Sequence, residues 1–277
     1  MNKAKKIIGH SVVNVLVIIF SVTCIFPIIW TFYSSFKSKG EFLGNIIGLP
    51  REPQFDSYIT AIDLMDFGRK FFNSAFNTVV SLVFILLFSM VIGYFLSRYD
   101  FKGRSVVYFL ILFGMLVPIH GFLVPVYLQF KQLNLLDNRF TLILTYVAFN
   151  LPVSVFLMES FMHSIPMDVE EAAIIDGANI NQRLFRVVFP MCKPILSTIA
   201  ILAFLNVWNE FSFGLVLIDD EALKTLPVSL TVFKGQYEIS YPNIMAGLML
   251  SSIPVIAFYL AFSQKVTDGM VAGAVKG

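Results

Sequence analysis

Six long apolar runs dominate the chain, at residues 10–34, 71–97, 105–130, 140–163, 195–218 and 243–264, with the polar positions gathered between them. About 20 apolar residues suffice to cross a bilayer as a helix. In lipid the backbone must satisfy its own hydrogen bonds, so continuous runs of this length predict helices. The expected fold is an all-α membrane protein, one transmembrane domain over residues 1–277 with six transmembrane helices. Five prolines, Pro27, Pro118, Pro125, Pro152 and Pro254, fall in the first, third, fourth and sixth runs. Each removes a backbone hydrogen bond and permits a bend, of use in lining a cavity or simply in packing.

The polar stretch at 164–194, between the fourth and fifth runs, carries strong local signals. Ser164 reads as a helix cap and Pro166 as an early helical residue. Asp168, Glu170 and Glu171 put negative charge in the first turns, where the helix dipole favours it. Ala172 to Ile175 continue the helix, and Gly177 ends it, since glycine reaches the left-handed conformation without steric strain. Asn179 followed by Gln182 reads as a capping box opening a second helix through Phe189, which Pro190 stops. The product is helix, sharp turn, helix. As a plain connector this loop would keep Glu170 and Glu171 on a wet face. The small residues Ala172, Ala173, Gly177 and Ala178 argue instead for close approach of another protein.

Composition agrees with the membrane reading. The chain is 57% apolar and 14% charged, whereas soluble domains carry roughly 25% charged residues. A net charge of +2 without a basic cluster excludes nucleic acid as an expected partner. Cys24 falls in a span and Cys192 in the polar loop, so no disulfide is expected between them. The start Asn2-Lys3-Ala4-Lys5-Lys6 resembles a signal peptide, but the apolar run continues to about Phe36 without a small-residue cleavage site. It is read as an uncleaved first span. With the N-terminus inside, inner segments hold 11 Lys and Arg and outer segments 9, and the short segments 1–6 and 98–104 carry three each. Short loops weigh most in orientation, so both termini and the 164–194 loop are expected in the cytoplasm.

Candidate chemistry within the spans is sparse. Asn150 and Glu159 fall in the fourth run, and Asn206, Asn209 and Glu210 at the fifth, beside Trp208 and Phe211. Polar groups in spans are often functional, and amides with aromatic faces suit sugar hydroxyls and rings. Packing glue between helices is the alternative for the asparagines, and a wet interface for Glu210. His10, His120 and His163 lie on different segments, so no metal site is expected. The chain contains no Gly-Lys dipeptide, which excludes a phosphate-cradling nucleotide loop. Two other classes stay open at this point. One is a membrane-embedded enzyme using Glu159 or His163, and the other a lone ion-coupled carrier, which would want ionisable groups at mid-membrane.

Glu171-Ala172-Ala173-Ile174-Ile175-Asp176-Gly177-Ala178, with Phe189-Pro190 downstream, resembles the EAA loop of permease subunits in binding-protein-dependent ABC importers. The likeness extends to Arg98–Arg104, Pro118, Pro125-Val126-Tyr127, Trp208–Phe211, Thr225–Val228, Ala246-Gly247 and the ending Gly269–Gly277. That ending is similar to the carbohydrate-importing branch containing the MalG-type subunits. The resemblance implies a MetI-like permease fold and a non-catalytic transport subunit in the inner or plasma membrane of a prokaryote. It implies no cofactor in this chain, with ATP and Mg bound by two cytoplasmic ATPase partners. The other implied partners are a second, homologous permease, an extracellular or periplasmic solute-binding protein, membrane lipid, and a sugar or another solute as cargo. Glu171, Ala172, Ala173, Asp176, Gly177, Ala178 and Pro190 would then form the ATPase-coupling site. Ala274, Val275, Lys276 and Gly277 would lie near the ATPases, and Asn150, Asn206, Asn209 and Glu210 along the substrate path. Glu159 departs from the basic or neutral residue common in this branch.

Overall fold

The computed structural model describes the backbone of residues 2–234 and 240–274, and the side chains of residues 13–233 and 240–262. Among the described residues the regular structure is helical, and it forms two compact units. Four helices are long and apolar enough to cross a membrane, in Val13–Ser34, Phe67–Arg98, Arg139–Met162 and Tyr241–Phe262. Two bent pairs pass the same test together, Arg104–Leu116 with Ile119–Gln132 and Ile180–Met191 with Lys193–Trp208.

The first unit comprises Met1–Gly68 and Leu230–Ile253. Helix α1 (Asn2–Ser34) is followed by the short α2 (Lys39–Gly44), whose cap Ser38 accepts the Glu41 amide, and by α3 (Asp56–Leu64). Between α2 and α3 the chain turns back to the end of α1. The buried Lys37 ammonium donates to the carbonyls of Asn45 at 2.8 Å and Ile46 at 3.2 Å. Trp30 also donates to Ile46, and the Tyr33 hydroxyl to Ile47. Burial pushes the Lys37 ammonium below its ordinary range, because taking the charge from water disfavours the protonated form. Gly247, in the last helix, lets its backbone close on Leu230 and Phe233, where an added Cβ would meet a Phe233 ring carbon at 2.9 Å.

The second unit comprises Arg69–Ser229 and Pro254–Gly277. Helix α4 (Phe67–Arg98) enters it and presents a polar stripe inward, with Asn73, Asn77 and Ser81 buried at helical spacing. Helices α5 (Arg104–Leu116) and α6 (Leu123–Gln132) correspond to the expected third span, but they are bent by 97° rather than continuous. The cause is local. Val117, which precedes Pro118, is extended at φ −74°, ψ 118°, because the proline ring disfavours helical backbone at the residue before it. Pro125 sits in the first turn of α6, where its missing N–H leaves nothing unpaired. Pro152, by contrast, lies inside the continuous α7 (Arg139–Met162).

Helix α7 is the hub of this unit. Gly93 brings α4 against it, where an added Cβ would meet the Met158 side chain at 2.8 Å, and Gly114 brings α5 against it, where an added Cβ would meet the Pro152 ring at 2.9 Å. The expected fifth span is likewise interrupted. Helix α11 (Lys193–Trp208) stops at Asn209, and α12 (Ser212–Leu217) follows as a separate turn. Short α13 (Leu226–Ser229) and the long α14 (Tyr241–Ala274) complete the chain, and Phe258 of α14 stacks on Phe204 of α11. The expected tail residues Val275, Lys276 and Gly277 lie outside the described residues, and of Ala274 only the backbone is described.

Candidate functional site

The 164–194 stretch folds as a compact knob beside the Arg98 end of α4. Its first helix, α8 (Asp168–Ile175), starts later than the sequence suggests. Ser164 does not cap it; its hydroxyl donates back to Phe161 at 2.6 Å, closing the end of α7 instead. Pro166 precedes the helix, and Met167 occupies the cap position. With no side-chain cap, the first turn relies on Asp168, Glu170 and Glu171 to complement its free amides.

Those three carboxylates have different fates. Asp168 and Glu171 face outward, while Glu170 is buried, 3% exposed. Glu170 Oε1 lies 2.7 Å from Arg98 Nε in an ion pair whose two side chains are 3% and 5% exposed. The contact is close without being a well-aligned hydrogen bond. Glu170 Oε2 accepts from the Tyr94 hydroxyl at 2.8 Å, and Arg98 Nη2 donates to the Ile165 carbonyl at 2.9 Å. One arginine thus holds both the segment entering α8 and α8 itself. Arg183 adds a contact, donating to the Tyr99 hydroxyl at 3.0 Å. The plain-connector alternative, which would put Glu170 on a wet face, does not hold for this residue. Two unit charges leave water only when each compensates the other, and Tyr94, buried one turn before Arg98, closes the site.

Past α8 the local signals operate as the residue types dictate. Gly177 is left-handed at φ +81°. Its N–H donates to Ile174 and that of Ala178 to Ala173, both at 2.9 Å, the paired bonds of a Schellman ending. Asn179 and Gln182 form the reciprocal capping box, at 3.0 and 2.8 Å, opening α9 (Ile180–Gln182). The second helix then departs from expectation. Residues Arg183–Val188 form a π-helical turn, and Pro190 does not stop the chain but sits within the next turn, α10 (Phe189–Met191). A wide turn relieves the clash of the proline ring with the carbonyl a turn earlier. The bend falls at Cys192, where the two helical stretches meet at 77°.

What the knob leaves outside is a small, mixed surface. Glu171, Ala172 and Asp176 are exposed, and beside them Ile174 is 51% and Ile175 85% exposed. Leu184 and Val188 face inward and bury in the core shared with Met158 and Met162. The outer surface can therefore receive a partner while the inner surface holds the fold.

The candidate path residues are only partly brought together. Asn206 donates to Asn150 Oδ1 at 3.1 Å, joining α11 to α7, and Asn209 donates to its own helix at Leu205. Asn206 and Asn209 are exposed. Glu210 serves the backbone, since its carboxylate accepts the Phe213 amide at 2.7 Å, the Gly214 amide at 3.1 Å and the Tyr146 hydroxyl at 3.2 Å. It caps α12. Glu159 is buried and pairs with His163 at 2.9 Å, one turn away on the same helix.

Arg98, Tyr94, Glu170, Arg183 and Tyr99 escape a reading of the local sequence. The charge pattern registers Arg98 as an orientation signal, and its spacing four residues after Tyr94 is the available hint that both share one face of α4.

Comparison with known proteins adds the lineage. Residues 85–268 match the family described as "Binding-protein-dependent transport system inner membrane component". The chain is 34% identical over 265 residues to a diacetylchitobiose uptake system permease of Streptomyces coelicolor, covering 95% of this chain and 88% of that one. It is 35% identical over 257 residues to a sulfoquinovosyl glycerol transport system permease of Agrobacterium fabrum, covering 92% and 90%. Its fold matches a chain of a bacterial ABC transporter involved in alginate import, with a TM-score of 0.82 and 30% identity over 95% of this chain and 98% of the other.

Proposed function

We propose a function from one premise: this chain belongs to the family of binding-protein-dependent transport system inner membrane components. It is the membrane-spanning permease of an ATP-driven importer for a sugar or oligosaccharide, a cargo class supported by the names of its relatives. Cargo arrives from an extracellular binding protein and passes between this chain and a second, related permease. ATP and Mg are bound by two partner ATPases on the cytoplasmic side, where the 164–194 loop and both termini lie. The Lys and Arg of the short connecting segments support that orientation.

The observation that carries the coupling role is the division of labour in α8. Its buried side holds Glu170 against Arg98, while its open side offers Glu171, Ala172 and the exposed Ile174 and Ile175. A capped helix held from beneath is suited to sit in a cleft and transmit a partner's movement as a rigid body. Ala173, Gly177 and Ala178 supply the Schellman turn that keeps the knob compact, and Pro190 shapes the return to α11. Along the path, Asn206 is exposed near the end of α11 and Asn209 just past it. They meet cargo, with Asn150 orienting Asn206 and Glu210 bracing the start of α12 against Tyr146.

The test uses substitutions on the open side, away from the buried Arg98–Glu170 contact. In the reconstituted importer, Ile175→Asp or Glu171→Lys is expected to leave the permease inserted while uptake falls at least tenfold. Unimpaired uptake by both variants would overturn the coupling role.

A further inference from the structure

Covalently, the knob is attached to two helices, α7 before it and α11 after it. Its side chains join it to a third. Tyr94, Arg98 and Tyr99, at the end of α4, contact Glu170, Ile165 and Arg183, residues 67 to 84 positions away in the chain. These contacts run from the segment entering α8 to the π-helical turn beyond the capping box. The central pair is nearly solvent-free, so the contact is held without the screening that weakens surface ion pairs.

A buried ion pair is a poor way merely to add stability, because well-packed apolar side chains of the same volume do as well or better. What it adds is register. Arg98 presents a planar fork whose Nε meets Glu170 while Nη2 meets the Ile165 carbonyl. An apolar pair could slide along α8, but the fork cannot do so without stranding a charge. Helix α4 also packs closely against α7 at Gly93, where an added Cβ would meet the Met158 side chain at 2.8 Å. We propose that Arg98 and Glu170 form a transmission joint that makes α4 move with the knob, so that a pull on the loop is delivered to three helices, not two. The inference rests on the coupling role of α8. Arg98 and Glu170 act here as positioning residues, and neither is placed against cargo or nucleotide.

The experiment replaces the joint without leaving a buried charge. The double variant Arg98→Met with Glu170→Met is reconstituted with its partner permease and ATPases and compared with the native chain. Spin labels at the exposed positions 186 and 102, neither on the open side of α8, report the separation of the knob from the end of α4, in a background carrying Cys24→Ser and Cys192→Ala. In the native chain the label distance is expected to stay constant between nucleotide-free and ATP-trapped complexes. In the double variant it is expected to change between the two states. Uptake per ATP hydrolysed should fall at least fivefold, with the amount of assembled complex unchanged. A native distance that shifts with nucleotide, or a double variant that transports with native stoichiometry, would overturn the joint. The two readings fail separately. If Ile175→Asp and Glu171→Lys abolish uptake while the double methionine variant stays fully coupled, the joint alone is wrong. If the open-side variants transport normally, the coupling role itself is wrong.

Discussion

The two ends of α4 are both gripped, but by different chemistry. At the Arg98 end the grip runs mainly from side chain to side chain, through the Arg98–Glu170 pair and the Tyr94 hydroxyl. At the Lys70 end it runs from side chain to backbone. Asn73 donates to the carbonyls of Ala222 at 2.8 Å and Lys224 at 3.0 Å, Ser74 accepts the Leu226 amide, and the Lys70 ammonium reaches the Glu221 carbonyl. A grip on backbone fixes the path of the 221–226 segment whatever side chains it carries. A grip on one carboxylate depends on that residue and its charge. The first kind suits a static brace, the second a contact whose strength is set by a single partner.

Breaking the charged end should have the largest effect. Arg98→Ala leaves Glu170 buried without its counter-charge, expected to cost about 3–5 kcal/mol, and a lowered melting temperature of the purified complex would register it. Adding Glu170→Met in the same chain should recover most of the loss. At the opposite end, Asn73→Ala strands two carbonyls and should cost about 1–3 kcal/mol, with no rescue from changing the side chains of Ala222 or Lys224. A double-mutant cycle between Asn73 and Lys224 should therefore give a coupling near zero, while one between Arg98 and Glu170 should not.

Within the knob, Gly177→Ala isolates backbone strain from packing. The added Cβ meets nothing within 4 Å, but φ is +81°, so the expected cost is about 1–2 kcal/mol of left-handed strain. Gly177→Asn should lose less, and melting of the two variants side by side measures the difference. The smallest effect concerns pH at the Lys70 end. A hydrogen bond from Lys224 holds the Glu221 carboxyl below its ordinary range, with Lys70 contributing less. A depressed carboxylate contributes stability above the unfolded-state pKa and loses it as pH falls through the folded value. Because the Glu221 side chain is 76% exposed, screening keeps this below about 1 kcal/mol. A melting series from neutral to acidic pH should show a shallow decline that Glu221→Gln removes.

Legibility from sequence followed the range of the forces involved. The Gly177 ending and the Asn179–Gln182 box depend on residues within one turn of each other, and residue type alone announces them. The bend at Pro118 was legible as a permitted break, but its 97° was not, since a proline permits a bend without fixing its angle. Glu170 shows the limit most plainly. Asp168, Glu170 and Glu171 look alike in sequence, and only the arrival of Arg98 from another helix selects which one is buried. Glu210 was legible as polar but not as a cap, because capping needs the chain to break at Asn209.

The π-helical turn at Arg183–Val188 makes this part of the chain a ruler. A π turn accommodates about one residue more than an α turn, and each α-helical residue advances the chain by about 1.5 Å and rotates it by about 100°. Losing one residue here would let the stretch tighten and swing the two sides apart in phase. Arg183 could no longer face Tyr99 while Val188 and Cys192 stayed buried. Exposed positions such as Phe185 and Arg186 can change identity freely, but the interval between the capping box and the bend cannot change length. For this loop, insertions and deletions are the severe mutations, more so than most substitutions.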